Sequence, residues 1–287
     1  MTQDRPTFAD WDQDATALTE RYAEQDPGEV GPGLRQEAHG VAAAYDAVPD
    51  GAWGRRGTRS NGSAFTVESL GHHHLHDVAH HAWDVGAAVA RATVRAYDRD
   101  PQSYGAATSE LYGLVRARLE TLVAALGAGA RVLEIGSAGG RDAAYLEAHG
   151  ILLRRTDIST GFVAVLRAQG HRAALVDPLV HDLGGPWDGV WANASLLHVA
   201  RTDLPAVLAR LAAATRAGGV LMMSLKQGDG EAWSTHGTVG TPRRFTYWRE
   251  PALRTVLSDV GWQADEMLTD PGLRGESWLL LRARRRA

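Results

Sequence analysis

The chain has 287 residues, 44% of them hydrophobic and 22% charged, with a formal net charge of −4. That length is comfortable for two cores, and the acidic balance speaks against a nucleic-acid surface. With no cysteine, disulfides, zinc–thiolate sites and thiol nucleophiles are excluded.

The polar, acidic start is unlike a signal peptide, and no run approaches the ~20 apolar residues that span a bilayer. The expectation is a cytoplasmic protein without nucleic-acid or membrane partners. Lys226 is the only lysine, which reads as a composition bias, and the Arg-rich tail from Arg282 to Arg286 reads as a solvated end.

The chain changes character near residue 100. Before it, helical patterns dominate and no strand reads convincingly. Phe8 to Glu24 and Leu34 to Val48 read as helices, the second closed by Pro49-Asp50-Gly51. A loop rich in Gly, Arg and Ser follows (Gly54 to Ser63), and Thr66 to Tyr97 reads as one long helix. The polar break Asp98-Arg-Asp-Pro101 marks a boundary. The expected domains are a helical element over 1–105 and an α/β domain over 106–287.

In the second part, short apolar runs alternate with amphipathic helices. A helix is expected from Thr108 to Leu126, with Leu111, Leu114, Val115, Leu119 and Leu122 on one face and Gly127 at its end. Strands are expected at Arg131–Ile135, Leu152–Arg155, Ala173–Val176, Asp188–Ala192, Val220–Leu225 and Ser277–Leu281. Helices fall between them at Arg141–His149, Ser159–Gln169, Thr202–Arg216 and Glu250–Val260. The fold class is α/β, a Rossmann-like doubly wound sheet with an N-terminal all-helical element.

The strongest motif is Glu134-Ile-Gly136-Ser137-Ala138-Gly-Gly140, a glycine-rich turn between a strand and a helix. Small residues let a ligand lie against the backbone, and the helix start favours a negative group. An acid follows at Asp157, about 20 residues on, where it can accept from ribose hydroxyls. A dinucleotide and S-adenosylmethionine both fit that geometry. The acid two residues before the first glycine favours the second over a dehydrogenase.

With that acid, the turn resembles the first motif of class I S-adenosylmethionine-dependent methyltransferases, acid-x-Gly-x-Gly-x-Gly, with Ala138 in place of the middle glycine. The resemblance covers roughly residues 106–285, in the manner of small bacterial members. It implies S-adenosyl-L-methionine as cofactor, held by Glu134, Gly136, Ser137, Ala138 and Gly140, with Asp157 on the ribose and Ile158 on the adenine. Asp177 would hold the adenine amino group between Pro178 and Leu179. Asn193, in the run Trp187 to His198, is a candidate hydrogen-bond donor.

Methyl transfer from a sulfonium needs alignment first, and a base only where the acceptor loses a proton. His198, after the fourth strand, is the candidate catalytic base; the plain reading is a histidine that packs or caps. Trp233, Tyr247 and Trp248 are candidate pocket walls, or ordinary packing. The implied function is methyl transfer to a small-molecule acceptor, with oligomeric state left open. A fold that binds the cofactor without transfer is the alternative, hinted at by Ala138.

Residues 71–81 carry a histidine cluster in which His76 and His80 lie one helical turn apart, a spacing fit for two metal ligands. The segment from Arg59 through Val67 to Asp84 resembles the last part of DinB-like helical bundles, many of which bind a divalent metal with three histidines. His39 is the only upstream histidine, and its surroundings do not match that family. The expectation is a scaffold or lid without a resident metal, with His76 and His80 the only candidate ligands. A metal-dependent thiol transferase with an accessory methyltransferase domain is a further reading.

Overall fold

The computed structural model describes residues 5–10, 12–84, 87–272 and 275–286. The chain divides into two compact units, Met1–Val85 and Gly86–Ala287.

The first unit contains β1 (Thr7–Phe8), α1 (Gln13–Thr19), a 3-10 turn (Tyr22–Glu24), α2 (Pro27–Asp46), a second 3-10 turn (Asp50–Ala52), β2 (Arg56–Arg59), β3 (Ala64–Thr66) and α3 (Val67–Asp84). The expected helix from Phe8 to Glu24 is broken. Asp12 caps α1 by accepting from the Ala15 N–H at 2.9 Å, and Arg21, with φ of 52°, enters the left-handed region after it.

The first unit also forms strands where only helices and a loop are expected. β1 pairs parallel with β2, and β2 antiparallel with β3. Asn61-Gly62 makes the connection: Gly62 has φ of 90°, Gly62 N–H donates to Arg59 O and Arg59 N–H to Ser63 O. Asn-Gly is a strong short-range hairpin signal within the segment expected as loop. The expected long helix Thr66–Tyr97 is helical over α3 and α4 (Ala87–Asp98), on either side of residues 85–86, which lie outside the described residues.

On α3 the His76 and His80 rings stack with centroids 6.3 Å apart. Among the described residues, no group of three or more His, Cys, Asp or Glu is placed to hold a metal.

The second unit opens with α4 and α5 (Pro101–Ala107), so both helices belong with the sheet, not with residues 1–85. There follow α6 (Gly113–Leu126), β4 (Arg131–Ile135), α7 (Arg141–Ala148), β5 (Leu152–Asp157), α8 (Thr160–Ala168), β6 (Ala173–Leu175), β7 (Trp187–Ala192), a 3-10 turn (Leu196–His198), α9 (Leu204–Ala213), β8 (Thr215–Gln227), β9 (Glu231–Ser234), β10 (Arg243–Trp248), α10 (Glu250–Asp259), β11 (Trp262–Asp270) and β12 (Trp278–Arg285).

The main sheet runs β11-β12-β8-β7-β4-β5-β6. Strands β4 to β8 pair in parallel, while β12 is antiparallel to both β8 and β11. Strand order reverses at β4, which has β5 on one side and β7 on the other. In such sheets ligands bind at the carboxyl ends of strands beside that reversal.

Strand alternation sorts the core. Leu133, Val190, Leu221, Met223 and Leu225 face one layer with Val207, Leu208, Leu211, Leu253, Leu257 and Trp262. Val132, Trp191, Val220 and Met222 face the other with Leu119, Leu122 and Leu146. Helix α6 starts at Gly113 rather than Thr108, and Leu114, expected on the buried face, is 40% exposed. Strands β9, β10 and β11 were not expected; β11 (Trp-Gln-Ala-Asp-Glu-Met-Leu-Thr-Asp) is polar because, apart from its buried Trp262, most of it stays partly open to solvent. No helix among the described residues is long and apolar enough to cross a membrane.

Candidate active site

The glycine-rich turn lies at the carboxyl end of β4. Gly136 and Gly140 both have φ of 81°, and a Cβ on Gly136 would stand 2.4 Å from Ser195 Cβ. Gly139 meets Gly105 of α5 backbone to backbone, where an added Cβ would stand 2.8 Å from Gly105 Cα. Ala138 has φ of 45°, an uncommon conformation for a residue with a Cβ. Helix α7 starts next, with no side chain capping it, so its first N–H groups face the turn.

Asp157, the last residue of β5, is buried. Its two oxygens accept from the Ala138 N–H at 2.9 Å and the Ser159 N–H at 2.8 Å, which leaves further acceptor capacity on each. Burial raises its pKa to about 6 against those hydrogen bonds. Glu134 is also buried and accepts from the Ser137 hydroxyl; burial raises it to about 8. Ile158, beside Asp157, is 41% exposed. Asp177 folds its carboxylate onto the Leu179 N–H at 2.9 Å, while Pro178 is buried and Leu179 half-buried.

Asn193 follows β7, and its side chain is engaged by the protein. Its Nδ2 donates to Asp142 at 3.0 Å, and its Oδ1 accepts from the Ser224 hydroxyl at 2.8 Å. Trp191 Nε1 also donates to Asp142 at 3.0 Å, and Ser224 Oγ accepts the Ala194 N–H. This network fixes the loop that leads to His198.

His198 Nδ1 lies 2.6 Å from the Arg244 carbonyl. A carbonyl only accepts, so Nδ1 carries the proton and Nε2 of the neutral ring is bare. The Tyr97 hydroxyl, 2.8 Å from Nε2, therefore donates to it. Arg243 Nη1 in turn donates to the Tyr97 oxygen at 3.2 Å. Burial pushes the His198 pKa down to about 4, opposed by the bond to Arg244 and reinforced by the charges of Arg243 and Lys226. Burial also raises the Tyr97 phenol, against the lowering influence of Arg243.

A family model described as a methyltransferase domain matches residues 107–266, more than half of the chain. The chain belongs to the methyltransferase-domain family.

The fold of the methyltransferase is similar to that of a Burkholderia thailandensis 1,6-didemethyltoxoflavin-N1-methyltransferase solved with 1,6-didemethyltoxoflavin and S-adenosylhomocysteine, at TM-score 0.55 and 21% identity, over 71% of this chain and 90% of that one. It is similar also to the N-methyltransferase NodS of Bradyrhizobium japonicum WM9 solved with S-adenosylhomocysteine, at TM-score 0.53 and 19% identity, over 68% and 98%. Among curated proteins, no sequence matches this chain.

Within the methyltransferase, the structure brings Glu134, Gly136, Ser137, Ala138, Gly140 and Asp157 together at the end of β4, linked by the bonds above. Trp248, a candidate pocket wall, is instead in the core at 3% exposure, stacked against Arg201. Trp233 is 41% exposed. Sequence reasoning missed Asp142 and Ser224 and gave no individual role to Tyr97, Arg243 or Lys226. Tyr97 falls at the end of the expected long helix, and Lys226 and Arg243 open two stretches, 226–233 and 243–248, that the resemblance puts over the substrate pocket. Another legible signal was Gly105, whose lack of a side chain matches the bare backbone at Gly139.

Proposed function

We propose that the methyltransferase methylates an oxygen of a small organic acceptor, with Tyr97 and His198 drawing off its proton. The residues present fit S-adenosylmethionine. The Asp157 carboxylate has acceptor capacity for ribose hydroxyls, the exposed Ile158 offers apolar surface for the adenine, and the uncapped start of α7 suits a carboxylate. Glu134, Gly136, Ser137, Ala138, Gly140, Asp157 and Ile158 would hold the cofactor, with Asp177, Pro178 and Leu179 along the adenine. Asn193 would act mainly through its backbone and its loop, since its side chain is bonded to Asp142 and Ser224. Bound S-adenosylmethionine supplies a methyl group activated on a sulfonium.

The observation that carries this reading is the bare Nε2 of His198 receiving the Tyr97 hydroxyl. As a hydroxyl of the acceptor is methylated, its proton passes to the Tyr97 oxygen and the phenolic proton passes to Nε2. Arg243 Nη1 holds the phenol oxygen while charge develops on it. A relay onto the bare Nε2 of His198 suits a hydroxyl acceptor, which must lose its proton as the methyl is transferred. A methylated hydroxyl is a strong acid and gives up its proton, whereas a methylated amine keeps it.

The test uses the purified protein and methyl-labelled S-adenosylmethionine with a cell extract divided by size. Label is expected in the small-molecule fraction as an O-methyl group. Label confined to macromolecules, or carried on nitrogen, contradicts the proposal.

For residues 1–85 we infer a scaffold role, supported by the DinB-like pattern over 59–84. Metal analysis of the purified protein tests it: a stoichiometric metal lost on His76→Ala or His80→Ala overturns a purely structural role.

A further inference from the structure

We propose that Lys226 and Arg243 form an anion-recognition pair for the methyl acceptor, and that the acceptor therefore carries a carboxylate. This rests on the reading of the site as an acceptor site and names the substrate class it takes.

Lys226 lies at the carboxyl end of β8 and Arg243 opens β10, which pairs with β8 there. Both side chains are buried, at 5% and 3% exposure. Arg243 Nη1 donates to Tyr97, and Nη2 to the carbonyls of His236 and Val239. Its Nε is buried with no partner. The Lys226 ammonium stands 4.1 Å from the Phe245 ring centroid and 5.8 Å from that of Trp278. Neither cation has a carboxylate within 4 Å among the described residues. Glu276, the acid whose charge Lys226 feels, is 3.1 Å from His236 instead.

Burying a charge without a partner of opposite sign is unfavourable. Cation–π contacts and the more distant charge of Glu276 offset part of that, and the two neighbouring cations leave a net positive site that a bound anion completes. The chemistry of the remaining donors selects the anion. Arg243 contributes one N–H, at Nε, and Lys226 its ammonium, which matches the two oxygens of a carboxylate.

The surroundings describe the rest of the acceptor. Lys226 is in register with Tyr247 on one side and Trp278 on the other, and Arg243 lies over both Tyr97 and Phe245. Flat aromatic surface therefore adjoins the cations. The proton-accepting Tyr97 touches the same guanidinium. The acceptor class is a small hydroxy acid whose carboxylate faces Lys226 and whose hydroxyl faces Tyr97.

Because Lys226 is the only lysine, carbon-13 lysine labelling of the full chain gives one side-chain signal. In the presence of S-adenosylhomocysteine, that signal is expected to shift saturably with 4-hydroxybenzoate or benzoate and to stay in place with benzamide. Lys226→Met should weaken carboxylate binding about tenfold or more by calorimetry, as expected for a hydrogen bond between charged groups. S-adenosylhomocysteine binding should be unchanged, and Lys226→Arg should recover part of the loss. A signal unmoved by the acids, or moved equally by the amide, overturns the inference while leaving the methyltransferase reading intact. Failure of the wild-type chain to bind S-adenosylhomocysteine would count instead against the cofactor site.

Discussion

The Tyr97 hydroxyl meets Nε2 of His198 at 2.8 Å across 101 positions of sequence. Helix α4 supplies the phenol and the turn after β7 supplies the imidazole. Tyr97→Phe and His198→Gln are each expected to slow methyl transfer roughly 100-fold or more, within the usual range for general-base catalysis. Binding of S-adenosylhomocysteine should be retained. Nitrogen-15 NMR of the histidines checks the premise directly: His198 should show a protonated Nδ1 and remain neutral at pH 6. An imidazolium at that pH would contradict it.

Asp157 makes cofactor binding pH-dependent. Burial raises its carboxyl to about 6, whereas ribose hydroxyls donate best to the ionised form. As pH falls through about 6, binding must expel a proton, so affinity should drop by up to about tenfold per pH unit. Calorimetry of S-adenosylhomocysteine in buffers of different ionisation heat should detect proton release at pH 5.5 and little from this group at pH 8. Asp157→Ala should abolish binding at both.

Glu134 gives the apo protein a stability that declines with pH. Its folded-state pKa is raised from 4.5 to about 8, so the folded chain holds a proton that the unfolded chain has lost. Its contribution is fully present below the unfolded value and is lost as pH rises through the folded one. Between pH 6.5 and 8, urea unfolding should show a decline of roughly 1 kcal/mol per pH unit from this group. Glu134→Gln, which cannot titrate, should flatten it. An unchanged slope in the variant would remove Glu134 as the cause.

Ala138 holds φ of 45° in the glycine-rich turn. Relieving a left-handed alanine is worth ~1–2 kcal/mol, less the entropy that glycine adds to the unfolded chain. Ala138→Gly should therefore stabilise the protein by about 1 kcal/mol in urea unfolding and bind S-adenosylhomocysteine at least as well. Ala138→Val, with a branched Cβ at positive φ, should lose both stability and affinity.

The alternation of apolar runs with amphipathic helices was enough to predict the parallel strands and their order of appearance. The turn Glu134–Gly140 and the acid Asp157 were legible for the same reason: a strand, a tight turn and a helix are local in sequence, and so are the small residues they need. Asn61-Gly62 is legible too, but a two-residue signal is diluted by the polar loop around it. Strand β11 gave no apolar run to detect, because most of it stays open to solvent and its partner β12 arrives only after the whole strand has been made.

What only the tertiary structure decided is the acceptor side of the site. Tyr97, His198, Arg243 and Lys226 come from four separate elements, and none carries a local pattern that marks it. His198 by itself reads equally as a base or a packing residue. The Arg244 carbonyl fixes its tautomer, the Tyr97 hydroxyl shows where the free lone pair points, and Arg243 and Lys226 set the charge around it. Local propensity acts over a few residues and is written in the sequence as a period, whereas hydrogen-bond partners and buried charge are properties of the distance between side chains, which exists only once the sheet has assembled.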